Sequence, residues 1–459
     1  MSYSYSRSNL NSILTFAALL KGKTLREICD IDILENTYTG KGNFGQLLEK
    51  YYFKYEPNSL SEPDFHEVGL ELKTSPLKKN RNNHLSAKER LVLSIINYFD
   101  IVQQEFISST FYQKNNHILL ILYLHESNVD VLDFIIKLVG DWKLPQEDLA
   151  IIKNDWEYIR NKIKSGRAHE LSEGDTFYLG ACTKGGKGGN PRPQPFSDIP
   201  AKQRAFSLKQ GYLNHIIGRL SQRDGENYGK IINTPIQALN FEDIVISKFQ
   251  KYYDKTTLEI EAQLGITLNN RAKSYYASLS KKILGIDINK EIEEFTKADI
   301  IVKSVRLKEN NLPKESISFQ TFKYTDLLNE DWEDSNIKSI LEHKFLFIFY
   351  QFKEGNLILK KARFWNMSAT NIDSVKQVWE KTKELVSNGN IVSEIVNGKR
   401  KTNFPNKSFH KIAHVRPHAK DSNDTYPLPV PDRLTGESAY TKHCFWLNDT
   451  YIKDEIYLK

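Results

Sequence analysis

The chain is written twice, and this constrains its fold more than any other feature. Asp64-Phe65 and Lys73-Thr74 recur at the same spacing as Glu294-Phe295 and Lys303-Ser304. Ahead of them, KGNFGQLLEK (41–50) parallels KSYYASLSKK (273–282), and after them HILLILYL (117–124) parallels KFLFIFYQ (344–351). Trp156-Glu157 followed by Gly166 recurs as Trp379-Glu380 followed by Gly389, and AFSLKQGYLN (205–214) recurs as AYTKHCFWLN (439–448). The pairs keep one order along the chain, as a duplicated domain requires. Two unrelated mixed domains sharing common helix and strand patterns are the alternative reading. Either way each half mixes amphipathic helices with apolar strands, an α/β or mixed α+β class.

At 459 residues the chain exceeds one ordinary core. The polar, turn-rich SQRDGENYGKIINTP (221–235) suits a linker, so the expected division is 1–222, a linker at 223–235, and 236–459. A hydrophobic share of 40% supports real burial, and a charged share of 26% excludes a disordered chain. The net charge of +7 and pI near 8.9 suit a polyanionic partner. Cys29, Cys182 and Cys444 lie far apart and form no CxxC pair, which argues against a disulfide framework or zinc ribbon and fits a reducing cytoplasm. ILTFAALL (13–20) has no basic lead-in and runs straight into KGK, so it reads as an amphipathic helix and not as a signal core. No stretch is long enough to span a membrane.

Chemistry concentrates in DFHEVGLELKT (64–74). Val68, Leu70 and Leu72 alternate with Gly69, Glu71 and Lys73, a strand period that sets Glu71 and Lys73 side by side on one face. With Asp64 upstream, this is either a surface ion pair or a metal-dependent site. In the second reading Asp64 and Glu71 offer the hard oxygens that Mg²⁺ prefers. Lys73 stabilises charge at phosphorus or helps deprotonate the attacking water. In FGQLLEKYYFKYE (44–56), Phe44, Leu47, Leu48 and Tyr51 fall at helical spacing, and Glu49 lies on the flank as a further ligand.

The stretch GKGNFGQLLE followed by DFHEVGLELKT resembles the MutH family of GATC-specific endonucleases, whose helix K-G-x-x-G-x-L-L-E precedes D-F-x(5)-E-L-K-T. The dense resemblance covers roughly residues 38–77, with weaker matches to about 220. It implies a mixed-sheet restriction-endonuclease core, Mg²⁺ as cofactor, Asp64, Glu71 and Lys73 as the catalytic set, and Glu49 as an additional acidic residue. The family has one more active-site lysine, for which Lys114 in YQKNNHILL is the candidate. It also has a tyrosine in its DNA-reading segment where this chain places Ser207.

The double length is similar to the Sau-3A-type restriction endonucleases, which join a catalytic half to an effector half that binds a second GATC site. The second copy carries Ile301 in place of Glu71 and Lys281 in place of Glu49. An aliphatic side chain cannot ligate Mg²⁺ and a lysine repels it, so the second copy is expected not to cleave. Candidate DNA contacts are Lys184, Lys187, Arg204, Ser207 and Lys209 in the first half. NGKRK (397–401) and HKIAHVRPHAK (410–420) add Lys399, Arg400, Lys401, Arg416 and, further on, Lys442.

TKGGKGGNPRP (183–193) lacks the order of a phosphate loop. His410, His414 and His418 are spaced as on one helix face, but Pro417 and the absence of acidic partners argue against metal binding there. The expected protein is a type II restriction endonuclease that cuts unmethylated GATC in double-stranded DNA with Mg²⁺, a monomer in solution able to dimerise on DNA. Its rivals are a repair nickase that depends on a partner, and a non-catalytic DNA-binding regulator.

Overall fold

A computed structural model describes residues 5–29, 44–57, 60–80, 82–185, 190–222, 227–232 and 240–459. The chain divides into two compact units. The first comprises Met1–Leu171, Thr176–Asn240 and Asn289–Asp299; the second comprises Ser172–Asp175, Phe241–Ile288 and Ile300–Lys459. Most of the expected linker at 223–235 lies outside the described residues.

The first unit is built on a mixed sheet of β1 (Glu71–Lys79), β2 (Leu85–Ala87), β4 (His117–Leu124) and β5 (Ile136–Lys143), in the order β2-β1-β4-β5. β4 runs parallel to β1 and antiparallel to β5. Its residues Ile118 to Leu122 are wholly buried, as a central strand covered on both faces must be, which explains the unbroken apolar run. A second, antiparallel sheet places β9 (Arg204–Leu208) between β3 (Leu91–Ile95) and β6 (Leu179–Thr183). β7 (Pro191–Gln194) and β8 (Ser197–Lys202) form a hairpin, and β10 (Tyr228–Gly229) pairs with β11 (Glu291–Ile292).

The helix Leu10–Ala18 buries Ile13, Phe16 and Ala17, the expected amphipathic face of the N-terminal run. No described helix is long and apolar enough to cross a membrane. The helix Leu149–Lys164 buries Trp156 completely. Its Asp155 carboxylate accepts from the backbone N–H groups of Phe177, Tyr178 and Leu179, which anchors the entry to β6.

The second unit repeats this plan. β12 (Ile301–Leu307), β14 (Lys344–Lys353) and β15 (Asn356–Asn366) pair in the order β12-β14-β15, and β21 (His443–Leu447) lies between β13 (Ile317–Phe322) and β18 (Ala413–Pro417). The registers coincide: Glu71 pairs with Ile118 in one unit, Ile301 with Phe345 in the other. Ser109 caps the helix Thr110–Asn115 and Ser335 caps the helix Asn336–Leu341, each after a single 3-10 turn.

Gly166 and Gly389 both adopt positive φ, and a Cβ on either would strike a carbonyl oxygen, of Phe196 and Pro431 respectively. Three of the sequence pairs, and the Lys73-Thr74 and Lys303-Ser304 part of a fourth, therefore occupy matching places. The fifth slips by five residues, because Leu208 and not Leu213 stands where Leu447 does, at the end of the middle strand.

The segment 289–299 groups with the first unit although it precedes β12 in the chain. Lys297 is buried there between Asp148, at 3.0 Å, and Glu293, at 2.8 Å, and Tyr212 donates to Asp148 at 2.6 Å. Glu294, the sequence counterpart of Asp64, instead accepts from the backbone N–H groups of Ile231 and Ile232. His414 lies within strand β18 and not on a helix, with its Nδ1 2.6 Å from Asn448 Oδ1.

Candidate active site

The strand that carries the site starts later than its alternation suggests. Residues His66–Val68 form a 3-10 turn and Gly69 takes the left-handed conformation, with φ 64°, so β1 opens at Glu71. Phe65 and Leu70 exchange backbone hydrogen bonds and close a tight loop. The loop folds Asp64 back onto the strand it precedes. Its backbone N–H donates to Glu71 Oε2 at 3.1 Å, and its Oδ2 accepts from the N–H of Leu72 at 2.9 Å. A separation of seven residues in sequence thus becomes direct contact.

On the same face, Lys73 Nζ lies 2.6 Å from Glu71 Oε1. The alternation correctly joined these two, although Glu71 is only 2% exposed and belongs to no surface ion pair. Lys114, on the helix Thr110–Asn115, reaches the same carboxylate at 3.7 Å and donates to the carbonyl of Leu60 at 2.6 Å. Lys73 and Lys114 thus both contact Glu71.

Glu49 arrives from the opposite side. After the helical turn Phe44–Leu47 the chain widens into a π-helix over Leu48–Tyr52, a local form common at functional sites. Phe44, Leu47 and Leu48 bury the expected stripe. Gly45 allows close approach to β1: a Cβ there would lie 3.2 Å from Thr74 Oγ1 and 3.9 Å from Glu49 Oε1. The Lys41 and Gly42 of the motif fall outside the described residues.

The carboxylates strain one another electrostatically. Burial, then the charges of Asp64 and Glu71, push the Glu49 carboxyl up to about 7. Burial raises Glu71 to about 7 as well, against the pull of Lys73 and with the push of Asp64. Two side chains here were not legible in the sequence. Arg7 donates to the carbonyl of Asp64 at 3.3 Å and lies over the ring of Tyr55, 5.0 Å from its centroid. Among the described residues the buried Tyr55 hydroxyl has no hydrogen-bond partner, and burial followed by the Asp64, Glu49 and Glu71 charges raises its pKa well above the phenol value. Neither residue belongs to the spaced motif, so no periodicity pointed to them.

This donor set fits a hard divalent cation. It offers carboxylate oxygens whose charge asks for neutralisation, beside an unpartnered hydroxyl. No three such ligands converge into a closed metal site among the described residues. Mg²⁺ is commonly held by one or two carboxylates and completed by water and phosphate oxygens.

The expected DNA contacts of the first half fare differently. β9 is covered on both faces: Arg204 is buried and donates to the carbonyls of Ala181 and Leu171, Ser207 is wholly buried, and Lys209 is buried near Asp155. These three are interior residues and not surface contacts. Lys184 follows β6, half-buried, and Lys187 lies outside the described residues. In the second unit, Lys399, Arg400 and Lys401 sit on an exposed hairpin, where Arg400 pairs with Glu437 and Lys401 with Glu394. Arg416 is exposed on β18, and Lys442 pairs with Asp424.

The family model of the DNA mismatch repair enzyme MutH matches residues 53–155, which span β1, β4 and Asp64, Glu71, Lys73 and Lys114 but not Glu49. The type II restriction enzyme Sau3AI of Staphylococcus aureus is 36% identical over 94% of this chain and 95% of its own length. The chain belongs to the Sau3AI family of type II restriction enzymes. It is a site-specific deoxyribonuclease that acts on DNA. The DNA mismatch repair protein MutH of Shewanella woodyi is 27% identical over 48% of this chain and 95% of its own length. That of Shewanella oneidensis is 26% identical over 36% of this chain and 73% of its own. A Sau3AI-type chain therefore matches from end to end, whereas a MutH chain matches half or less.

Proposed function

We propose that this restriction enzyme cleaves both strands of DNA at unmethylated 5′-GATC in a Mg²⁺-dependent reaction carried by Asp64, Glu71 and Lys73. The observation that supports it most is the return of Asp64 onto the start of β1, where two carboxylates and the Lys73 ammonium meet. Asp64 and Glu71 would hold the metal, with Glu49 behind them. When bound, Mg²⁺ supplies Lewis acidity and a more acidic water.

The chain's own groups do the rest. Lys73, positioned by Glu71, places positive charge beside the attacked phosphodiester, where it stabilises the developing oxyanion as the water–phosphorus bond forms and the bond to the leaving sugar oxygen breaks. Lys114 adds a second cation. The GATC sequence rests on the likeness of GKGNFGQLLE and DFHEVGLELKT to the MutH motif. The second unit, with Ile301 and Lys281 at the positions of Glu71 and Glu49, binds another site without cutting and promotes cleavage in the first.

Plasmids with one and two GATC sites, incubated with the pure protein and Mg²⁺, test this. The expected result is double-strand cutting, faster on two sites, with the single-site plasmid rescued by a short GATC duplex in trans. Nicks alone would favour a repair enzyme, and binding without cleavage a regulator. Equal rates without rescue would leave the second unit with no effector role.

A further inference from the structure

The matched positions of the two units differ in charge. In the first, Asp64, Glu71 and Glu49 lie within electrostatic reach of one another, with Lys73 and Lys114 beside them. In the second, packing fixes which residues stand in their places. Tyr276 lies on Tyr350 of β14 as Phe44 lies on Tyr123 of β4, which sets Lys281 where Glu49 is. The β12–β14 register sets Ile301 where Glu71 is, and keeps the lysine, as Lys303.

Lys303 has lost the partner that Lys73 has. Among the described residues its ammonium reaches the carbonyl of Ser318, at 3.5 Å, on the first strand of the antiparallel sheet. Burial holds its pKa below the ordinary lysine value. Ser318 pairs with Trp446 across β13 and β21, and a second cation, Arg416, stands at that tryptophan. Arg416 opposes Cys444 on the adjacent strand, at the place where the first unit has Cys182 opposite Ala205. Its guanidinium lies 3.9 Å from the ring centroid of Trp446, which stands in the place of Ser207.

Lys303 and Arg416 both act electrostatically on Cys444, yet burial raises that thiol to about 12 and leaves it uncharged. Neither cation forms an ion pair among the described residues. Two cations without an acidic partner in one neighbourhood favour the arrival of an anion. Stacking on Trp446 holds the planar guanidinium in a fixed orientation, the arrangement by which arginine recognises phosphate.

We propose that Lys303 and Arg416 form a seat for a DNA backbone phosphate that needs no divalent metal, beside the strand position that Lys73 holds in the first unit. The proposal rests on the reading that the second unit binds DNA.

The test uses the full chain and a labelled GATC duplex, with binding followed by fluorescence anisotropy over a salt series in EDTA and, separately, in Ca²⁺. Thermal melting verifies that each variant is folded. Lys303→Met and Arg416→Met should each weaken binding in EDTA by about tenfold or more and reduce the slope of log K against log salt by roughly one phosphate contact. Lys303→Arg should retain most of the affinity. Binding in EDTA by a folded Lys303→Met variant with wild-type affinity and slope would overturn the proposal, as would wild-type binding that requires Ca²⁺. Stoichiometry in Ca²⁺ separates the two levels. Two duplexes per chain with unaffected variants would remove this seat and leave the effector reading, whereas one duplex per chain would remove both.

Discussion

Lys73 Nζ and Glu71 Oε1 stand 2.6 Å apart on one face of β1, the lysine partly exposed and the glutamate almost fully buried. The pair is asymmetric by design of its surroundings: the acid is held in place by the N–H of Asp64 behind it, and the base faces the open side. In the proposed mechanism the buried acid fixes the ammonium that faces the phosphodiester.

The raised carboxyl groups make cleavage depend on pH and metal together. Glu49 and Glu71 both sit at about 7, so below that pH each tends to keep a proton that a metal ion must displace. At subsaturating Mg²⁺ the single-turnover rate should rise with pH through about 7 and level above it, and more Mg²⁺ should move the midpoint to lower pH. A midpoint indifferent to Mg²⁺ concentration would contradict this.

The same shifts bear on stability without metal. A carboxyl whose folded pKa lies above its unfolded value binds more protons in the folded state, so its contribution is complete below about pH 4.5 and declines as pH rises through 7. Metal-free Glu49→Gln should therefore melt a few degrees above metal-free wild type at pH 8, with the difference shrinking towards pH 5. Added Mg²⁺ should narrow the gap. Differential scanning calorimetry at the two pH values reads this directly.

Lys114 contacts Glu71 at 3.7 Å and is fixed by the carbonyl of Leu60. Lys114→Ala should reduce the single-turnover rate by about tenfold to a hundredfold, roughly 1.4–2.7 kcal/mol of barrier, and less than loss of Lys73. Rapid-quench cleavage of a short duplex measures it.

How much of this was legible in the sequence follows from what each residue depends on. The duplication was visible because equivalent positions keep their pattern: Ile118 and Phe345 lie in unbroken apolar runs of central strands. Glu71 and Lys73 were visible because a period of two sets them together. The route that returns Asp64 was not, since it depends on a 3-10 turn and a left-handed Gly69, which alternation cannot reveal. Arg204, Ser207 and Lys209 read as exposed polar residues, but β9 is a middle strand packed on both sides. The attachment of 289–299 to the first unit depends on pairings between residues as distant as Asp148 and Lys297.

That attachment is itself testable. Lys297 is 2% exposed, and its removal leaves Asp148 buried without its cation. Lys297→Ala should cost about 3–5 kcal/mol, the usual penalty for breaking a buried pair. Gly211→Ala should also destabilise, because a Cβ there would lie 1.9 Å from the carbonyl oxygen of Thr296. Urea denaturation of both variants should show lower midpoints than wild type.

The most direct test is single-turnover cleavage of a GATC duplex with saturating Mg²⁺ by wild type and Glu71→Ala, with DNA binding measured in parallel in Ca²⁺. Removing this carboxylate takes away a metal ligand and releases Lys73, so the rate should fall by about a thousandfold or more, on the order of 4 kcal/mol, while binding changes little. Cleavage by a folded Glu71→Ala protein at close to the wild-type rate would contradict the assignment of catalysis to this site.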